Sequence, residues 1–427
     1  MPENRIAYNV QEIFFGPPNG GGSSETSLLP GYQILKRING IQSISYDFNA
    51  TRVDVGSLGK SRSAIKQVIE PPTINIDFSY VLNGASNERN MGFSVSQGEN
   101  SDVPPLFENY FNENRGSDSR NIYLITNQSG QDVRESRTDI SDSLNGLGAG
   151  IVSSIESPSA RSFGVLSFQN AYLSSYSVDV SIGSLPNAKV SFIADNAVFF
   201  SSGTNIPVPL LDSKLGVVTT GTEKILIPKY FDPSTVGVLG NIEAFKPGNI
   251  TVAVQKAVST TNIPISFESD HIQSFGMDIS LDRENISYLG HKLYVDRPVV
   301  LPAKTAINLG LLVYKNLSGS FLSNINKDDI YDLTVTCKED SGAVGLQYKV
   351  LGAKFDSASY SSSIGENKMV YLKFSVDLNF EDKTSSVFIS GQSKAFTDFI
   401  VGDHNGVEEP LTDDNGELLY YEYLLPF

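Results

Sequence analysis

Apolar and polar residues alternate along much of this chain, and the alternation predicts β-strands. Ile74, Ile76, Phe78, Tyr80 and Leu82 alternate with Thr73, Asn75, Asp77 and Ser79. Further along, Val370, Leu372, Phe374, Val376, Leu378 and Phe380 alternate with Tyr371, Lys373, Ser375, Asp377 and Asn379. Successive side chains of a strand point to opposite faces, so each stretch has one buried and one wet face. The second stretch is long enough to run about 40 Å at roughly 3.3 Å per residue, which fits a large curved sheet. Ile307, Leu309, Leu311 and Val313 alternate with Ala306, Asn308, Gly310 and Leu312, a strand whose wet face is small or neutral. Helical signals are sparse: Pro105 near the start of DVPPLFENYF, and the stretch SNINKDDIYD.

The pattern also repeats. INGIQSISYDFNATRVDVGSLGK begins at residue 38, and SDHIQSFGMDISLDRENISYLGH begins at residue 269. A shift of 231 places Ile41-Gln42-Ser43 on Ile272-Gln273-Ser274, Asp47 on Asp278, Arg52 on Arg283 and Leu58-Gly59 on Leu289-Gly290. Val68, Pro71 and Ile76 then meet Val299, Pro302 and Ile307. Register held over about 40 positions, at so long a period, marks a duplicated domain and not a solenoid. The likeness continues more loosely. NIYLITNQ at 121–128 resembles IYDLTVTC at 330–337, and NAKVSFIADN at 187–196 resembles NKMVYLKFSVDLNF at 367–380.

The expected organisation is an extended N-terminal arm (1–29), a first module (30–210), a linker (211–244), a second module (245–395) and a C-terminal acidic arm or hairpin (396–427). The first module carries long polar stretches at 84–120 and 131–165, which are expected in surface loops. The tail holds two Asn-Gly pairs, Asn405-Gly406 and Asn415-Gly416, and the strand-like flanks of the second point to a terminal hairpin.

Composition narrows the function. Hydrophobic residues at 40% and charged residues at 19% describe a globular chain. No apolar run reaches about 18 residues, so no membrane span is expected. The start MPENRIAYNV lacks a basic segment followed by an apolar core, so no signal peptide is expected. The net charge of -16 is poorly suited to gripping phosphates, and a negative surface keeps DNA from adhering. Cys337, at an alternating position in YDLTVTCKE, reads as a buried strand thiol, and a single cysteine fits a reducing compartment.

Catalytic patterns are missing from the sequence. His271, His291 and His404 have no metal-ligand spacing. The run Gly146-Leu147-Gly148-Ala149-Gly150 lacks the Lys-Ser/Thr ending of a phosphate loop. Asp413, Asp414, Asn415 and Glu417 lack the ligand spacing of a calcium loop. Triplets such as Asn49-Ala50-Thr51 carry little weight without a signal peptide. No nucleophile pairs with a base, so a non-enzymatic structural or binding role with no cofactor is expected.

A strand-rich module has sheet edges that must be paired, covered or closed, and a ring closes them between subunits. Two similar modules per chain would make three chains a six-position ring. The stretches IQSISYDFNATRVDVGSLGK, IEPPTINIDFSYVL and YLSSYSVDVSIGSLPNAKVSFIADN resemble the tail tube proteins of tailed bacteriophages. The resemblance covers most of residues 30–380. It implies a mainly β chain: two tandem β-sandwich or half-barrel modules, each with a small helix, closing between subunits as a ring-shaped β-barrel. Trimeric, pseudo-hexameric rings would stack into a hollow tube, in the virion's tail and assembled in the host cytoplasm. Implied partners are further copies of the chain, the tape measure protein, other tail proteins, and double-stranded DNA that passes through without specific binding.

On that expectation the lumen-facing candidates are Asn75, Asp77, Ser79, Ser191, Asn308, Lys373, Ser375 and Asp377. The repeated residues Asp47, Arg52, Asp278 and Arg283 are candidates for matching interface or intramodule ion pairs. A baseplate hub, distal tail or neck ring protein is an alternative of the same kind. A carbohydrate-binding β-sandwich is one of another kind, disfavoured by the absence of Trp.

Overall fold

The computed structural model describes residues 11–16, 32–55, 65–96, 105–108, 118–126, 164–201, 207–226, 244–257, 272–312, 329–361, 369–378, 385–391, 401–404 and 407–410. The chain is mainly β. Its first half contributes β1 (Gln11–Gly16), β2 (Tyr32–Ile34), β3 (Lys36–Arg37), β4 (Ile41–Asn49), β5 (Arg52–Val55), β6 (Ile65–Val68) and β7 (Thr73–Val81). The helix α1 (Ser86–Asn90) follows, then β8 (Val95–Ser96), β9 (Arg120–Thr126), β10 (Gly164–Ser181), β11 (Asn187–Ala194) and β12 (Asn196–Ser201). β13 (Pro207–Asp212) and β14 (Val217–Leu226) come next. The second half contributes β15 (Ile250–Lys256), β16 (Ile272–Ser280), β17 (Lys304–Leu312), β18 (Ile330–Lys338), β19 (Val344–Ser361), β20 (Met369–Asp377) and β21 (Ser386–Gly391). A separate hairpin pairs β22 (Val401–His404) with β23 (Val407–Pro410).

One antiparallel sheet runs β4-β7-β11-β10-β16-β17-β20-β19 across both halves. β10 and β19, at 18 residues each, also serve a second layer with their N-terminal portions. In the first half that layer joins β12, β10, β9, β1 and β3; in the second it joins β21, β19, β18 and β15, with β8 on β21. Period-2 alternation closes the sandwich. Ile74, Ile76, Phe78 and Tyr80 turn inward from β7, and Phe15 of β1 meets Phe78 at 6.1 Å and Phe192 at 5.4 Å between ring centroids. In the second half Tyr331 of β18 meets Phe374 of β20 at 5.6 Å. The apolar faces of both halves merge into one cluster. Cys337 is buried within it, and burial pushes its thiol up to about 12.

The two halves match strand by strand. The shift of 231 carries the break in pairing between Ile41 and Ser43 onto that between Ile272 and Ser274. It also carries the pairs Arg52–Val68 and Val55–Ile65 onto the bridges Arg283–Val299 and Ile286–Asp296. Beyond the long loops the shift becomes 182. The bulge between Leu173 and Ser175 of β10 falls on that between Phe355 and Ser357 of β19. Asn170 and Gly352, equivalent by that shift, both have positive φ, at 49° and 79°. Bulges are built-in features of a fold and not defects, so their recurrence at matched places is a signature of one repeated design. For β9 and β18 the pairing aligns Ile122 with Leu333 and Leu124 with Val335, two residues away from the spacing drawn from the sequence alone.

Some expectations shift. Residues 11–16, in the expected arm, form β1, because Ile13, Phe14 and Phe15 bury against the second layer. The expected linker includes β14, which pairs with β13 and β2 and places Ile225 in a small cluster with Phe14, Tyr123 and Val208. The helix forms at Ser86–Asn90, in an expected polar loop; DVPPLFENYF is described only at 105–108, where Glu108 N–H bonds Pro105 O. Within SNINKDDIYD, Ile330 onward belongs to β18. The alternation ending at Phe380 yields a nine-residue strand, and the longest strands are β10 and β19. The described tail hairpin flanks Asn405-Gly406 and not the second Asn-Gly pair. Asn415-Gly416, the Asp413–Glu417 stretch, the glycine run at 146–150 and His271 lie outside the described residues. Among the described residues the sheet within one chain is open, and no barrel closes there.

Candidate functional site: a polar sheet face and two strand edges

The outward face of the eight-strand run is a lattice of small polar side chains. One row of directly opposed residues reads Ser45, Asp77, Ser191, Ser175, Ser280, Lys304 and Asp377. The next reads Ser43, Ser79, Lys189, Ser177, Asp278, Ala306, Ser375 and Lys354. A third runs Asp179, Gly276, Asn308, Lys373 and Ser357. Asn75 lies opposite Asp47. All eight lumen-facing candidates therefore share one face, with Asp47 and Asp278 among them. Lys189, Lys304, Lys354 and the series Ser175, Ser177, Asp179 on β10 were not singled out from sequence. The alternation of that series with Tyr176, Val178 and Val180 was the signal available.

Neighbouring polar groups on this face satisfy one another. Ser43 and Ser79 hydroxyls bond at 2.6 Å, Ser191 donates to Asp77 at 2.5 Å, and Ser375 donates to Asp356 at 2.9 Å. Asn75 donates to Asp47 at 3.3 Å, and Asn49 does so at 2.5 Å. Among the described residues, six aspartates (47, 77, 179, 278, 356, 377), four lysines (189, 304, 354, 373) and no arginine occupy it, so the face is far closer to neutral than a chain of net -16. Lys373 is thus one of four spaced cations and not an exception in an acidic wall.

The repeated aspartates and arginines do not pair with each other. Asp278 stays on the polar face. Arg283 turns away and crosses to the first half: Nη1 donates to Asp118 at 2.6 Å, and Nε donates to the Leu173 carbonyl on β10 at 2.6 Å. Its guanidinium lies 5.2 Å from the centre of the Tyr172 ring. Its counterpart Arg52 is exposed on β5. Arg297 crosses in the same way. Nε and Nη2 hold Asp195 at 3.0 and 2.9 Å, Nη1 donates to Asn285 at 2.7 Å, and Tyr294 stacks at 4.5 Å. Both partners are buried, and burial pushes the Asp195 carboxyl up to about 6 although Arg297 opposes the shift.

Inside the sandwich a third link spans the halves. Tyr80 and Tyr176 hydroxyls donate to Oε1 of Glu88 at 2.8 and 3.0 Å, and Tyr176 bonds the Tyr348 hydroxyl of β19 at 2.8 Å. Burial raises the Glu88 carboxyl above its ordinary range, against the hydrogen bonds from Tyr80, Tyr176 and Tyr348 that lower it. A raised carboxyl makes the folded state hold its proton longer than the unfolded state. Its contribution to stability is complete below the unfolded pKa of about 4.5 and falls away as pH rises through the folded value. Glu88→Gln is expected to remove that slope: the stability of wild type relative to the variant declines from pH 4 to pH 8 in urea melts.

No protein-family model matches the chain, and no curated protein matches its sequence. Among solved structures the chain is similar to a component of the PVC sheath–tube complex, an extracellular contractile injection system in its extended state. Identity is 16% over 38% of this chain and 99% of that one, with a TM-score of 0.26. It is also similar to the anti-feeding prophage cap that terminates that particle's tube, at 12% identity over 37% and 98% of the two chains and a TM-score of 0.26. The PVC sheath/tube terminator gives 14% identity over 35% and 99%, again at 0.26.

Proposed function

We propose that this chain is a structural subunit of a phage tail or tail-like particle, with its polar sheet face lining a channel for DNA. The observation that carries this is the continuous sheet β4-β7-β11-β10-β16-β17-β20-β19. Two matched four-stranded units are fused edge to edge, so their small polar residues form one uninterrupted surface. Three chains arranged alike would place six such units around a lumen. The sequence resemblance to tail tube proteins supports the same arrangement. No enzymatic step is required of such a subunit.

Near-neutral charge suits a conduit. The face's four lysines are spread among six aspartates, and phosphate neutralisation by clustered cations is what makes proteins hold DNA. Asp77→Lys/Asp278→Lys is expected to give assembled rings that retain a short duplex at low salt and release it as salt rises. Wild-type rings would show no such retention in fluorescence anisotropy. Equal duplex binding by wild type would count against the conduit. A ring component at one end of a tail would use the same face, and imaging separates the two: a tube subunit stacks its rings, and a terminal ring stays single.

A further inference from the structure

The chain contains a worked example of how one unit joins the next. At the β10–β16 junction Ser175 faces Ser280 and Ser181 faces Ser274. Leu281 N–H donates to the Ser174 carbonyl at 2.8 Å, and Arg283 and Arg297 anchor on Asp118 and Asp195. Each element of that junction has a counterpart at the outer edges of the same sheet. β4 is the equivalent of β16, and the C-terminal half of β19 is the equivalent of that of β10. Among the described residues, β4 pairs on one side with β7, and residues 357–361 of β19 pair on one side with β20.

Exposure follows the same correspondence. Phe48, Tyr46 and Tyr360 are 60%, 43% and 43% exposed, whereas their equivalents at the junction, Ile279, Met277 and Val178, are 1%, 0% and 1% exposed. At these three matched positions the side chain is exposed at an outer edge and buried at the junction. The charges also transpose. Arg283 and Asp118 map to Arg52 and Asp329; Arg297 and Asp195 map to Lys66 and Asp377. All four positions keep their sign. Tyr172 maps to Lys354, so the stacking on Arg283 is not repeated.

The geometry points to a second copy of this chain as the occupant of both edges, with β4 of one copy adding to β19 of the next in the register of the β10–β16 junction. That register sets Ser361 opposite Ser45, Tyr360 opposite Tyr46, Ala358 opposite Phe48 and Ser357 opposite Asn49. Arg52 reaches the next copy's Asp329 and Phe355 carbonyl, as Arg283 reaches Asp118 and the Leu173 carbonyl. The inference rests on the ring proposed above and specifies its seam. It buries the edge aromatics and pairs an edge strand that would otherwise invite disordered aggregation.

Ser45→Cys/Ser361→Cys tests the register in the full chain. The equivalent pair at the junction, Gly276 and Asp179, faces across the seam without mutual backbone bonds, the closer type of antiparallel pair at about 4.5 Å between Cα atoms. The native Cys337 is buried and does not compete. Oxidation is expected to give covalent dimers and a closed trimer on a non-reducing gel. Ser45→Cys/Ser359→Cys, two residues out of register, stays uncrosslinked. Arg52→Glu is expected to lose the trimer, and Arg52→Glu/Asp329→Arg to regain it. Assembled wild-type rings with no crosslink at Ser45 and Ser361, or equal crosslinking by the control, would overturn this seam and leave the ring standing. Wild type that neither assembles nor crosslinks as the cysteine pair would overturn both.

Discussion

Arg297→Met is expected to destabilise the folded chain by about 3–5 kcal/mol, the usual cost of stranding one partner of a buried ion pair. Arg297 and Asp195 are both buried, Nε donates to the carboxylate, and Nη2 lies 2.9 Å from the same oxygen. The loss carries a pH signature. The Asp195 carboxyl already sits at about 6 from an ordinary 3.8, so its contribution is complete below about 3.8 and lost as pH rises through about 6. Without the arginine its folded pKa rises further, and the penalty of the substitution shrinks in acid as Asp195 takes up a proton. Denaturant melts at pH 5 and pH 8 check this: the gap between wild type and variant is wider at pH 8. Arg297→Met/Asp195→Leu is expected to recover much of the loss, since apolar replacement of both partners is often close to neutral. A single variant as stable as wild type at pH 8 would show that the link does not hold the halves together.

Phe48→Lys is expected to abolish ring assembly while leaving the subunit folded. Phe48 is well exposed in the single chain, and surface substitutions of that kind usually stay within about 0.5 kcal/mol. At the equivalent place in the internal junction Ile279 is fully buried. A lysine there would have to be desolvated at every seam of a ring, a cost that raises the concentration needed for assembly by at least about tenfold. Mass photometry across a dilution series reads the assembly, and circular dichroism melting reads the fold. Unchanged assembly would show that β4 is not a subunit edge.

Much of this architecture was legible in the sequence because strands keep a period of two. The inward set Ile74, Ile76, Phe78, Tyr80 and the outward set Asn75, Asp77, Ser79 follow from that alone. The 231-residue shift was legible because no insertion separates Ile41 from Ile76, or Ile272 from Ile307. Beyond the long first-module loops the shift falls to 182, and a gap-free comparison loses the match of β10 with β19. β1 and β14 were read as arm and linker because their partners, β9 and β13 with β2, give a short apolar run no local signal of its place. The role of Arg283 was illegible for a similar reason. Its partners Asp118 and Leu173 lie 165 and 110 residues away, whereas Asp278 lies five away and faces the other side of the sheet. The small helix escaped because its five residues are mostly polar; Glu88 is buried by three tyrosines from distant strands and not by a helical apolar stripe.

Negative-stain imaging of the purified chain, with light-scattering mass on the same sample, tests the central claim most directly. The account predicts hollow rings, single or stacked, with three chains in each layer and an outline of near-sixfold symmetry. A subunit that remains monomeric at every concentration, or assembles without a central channel, would contradict it.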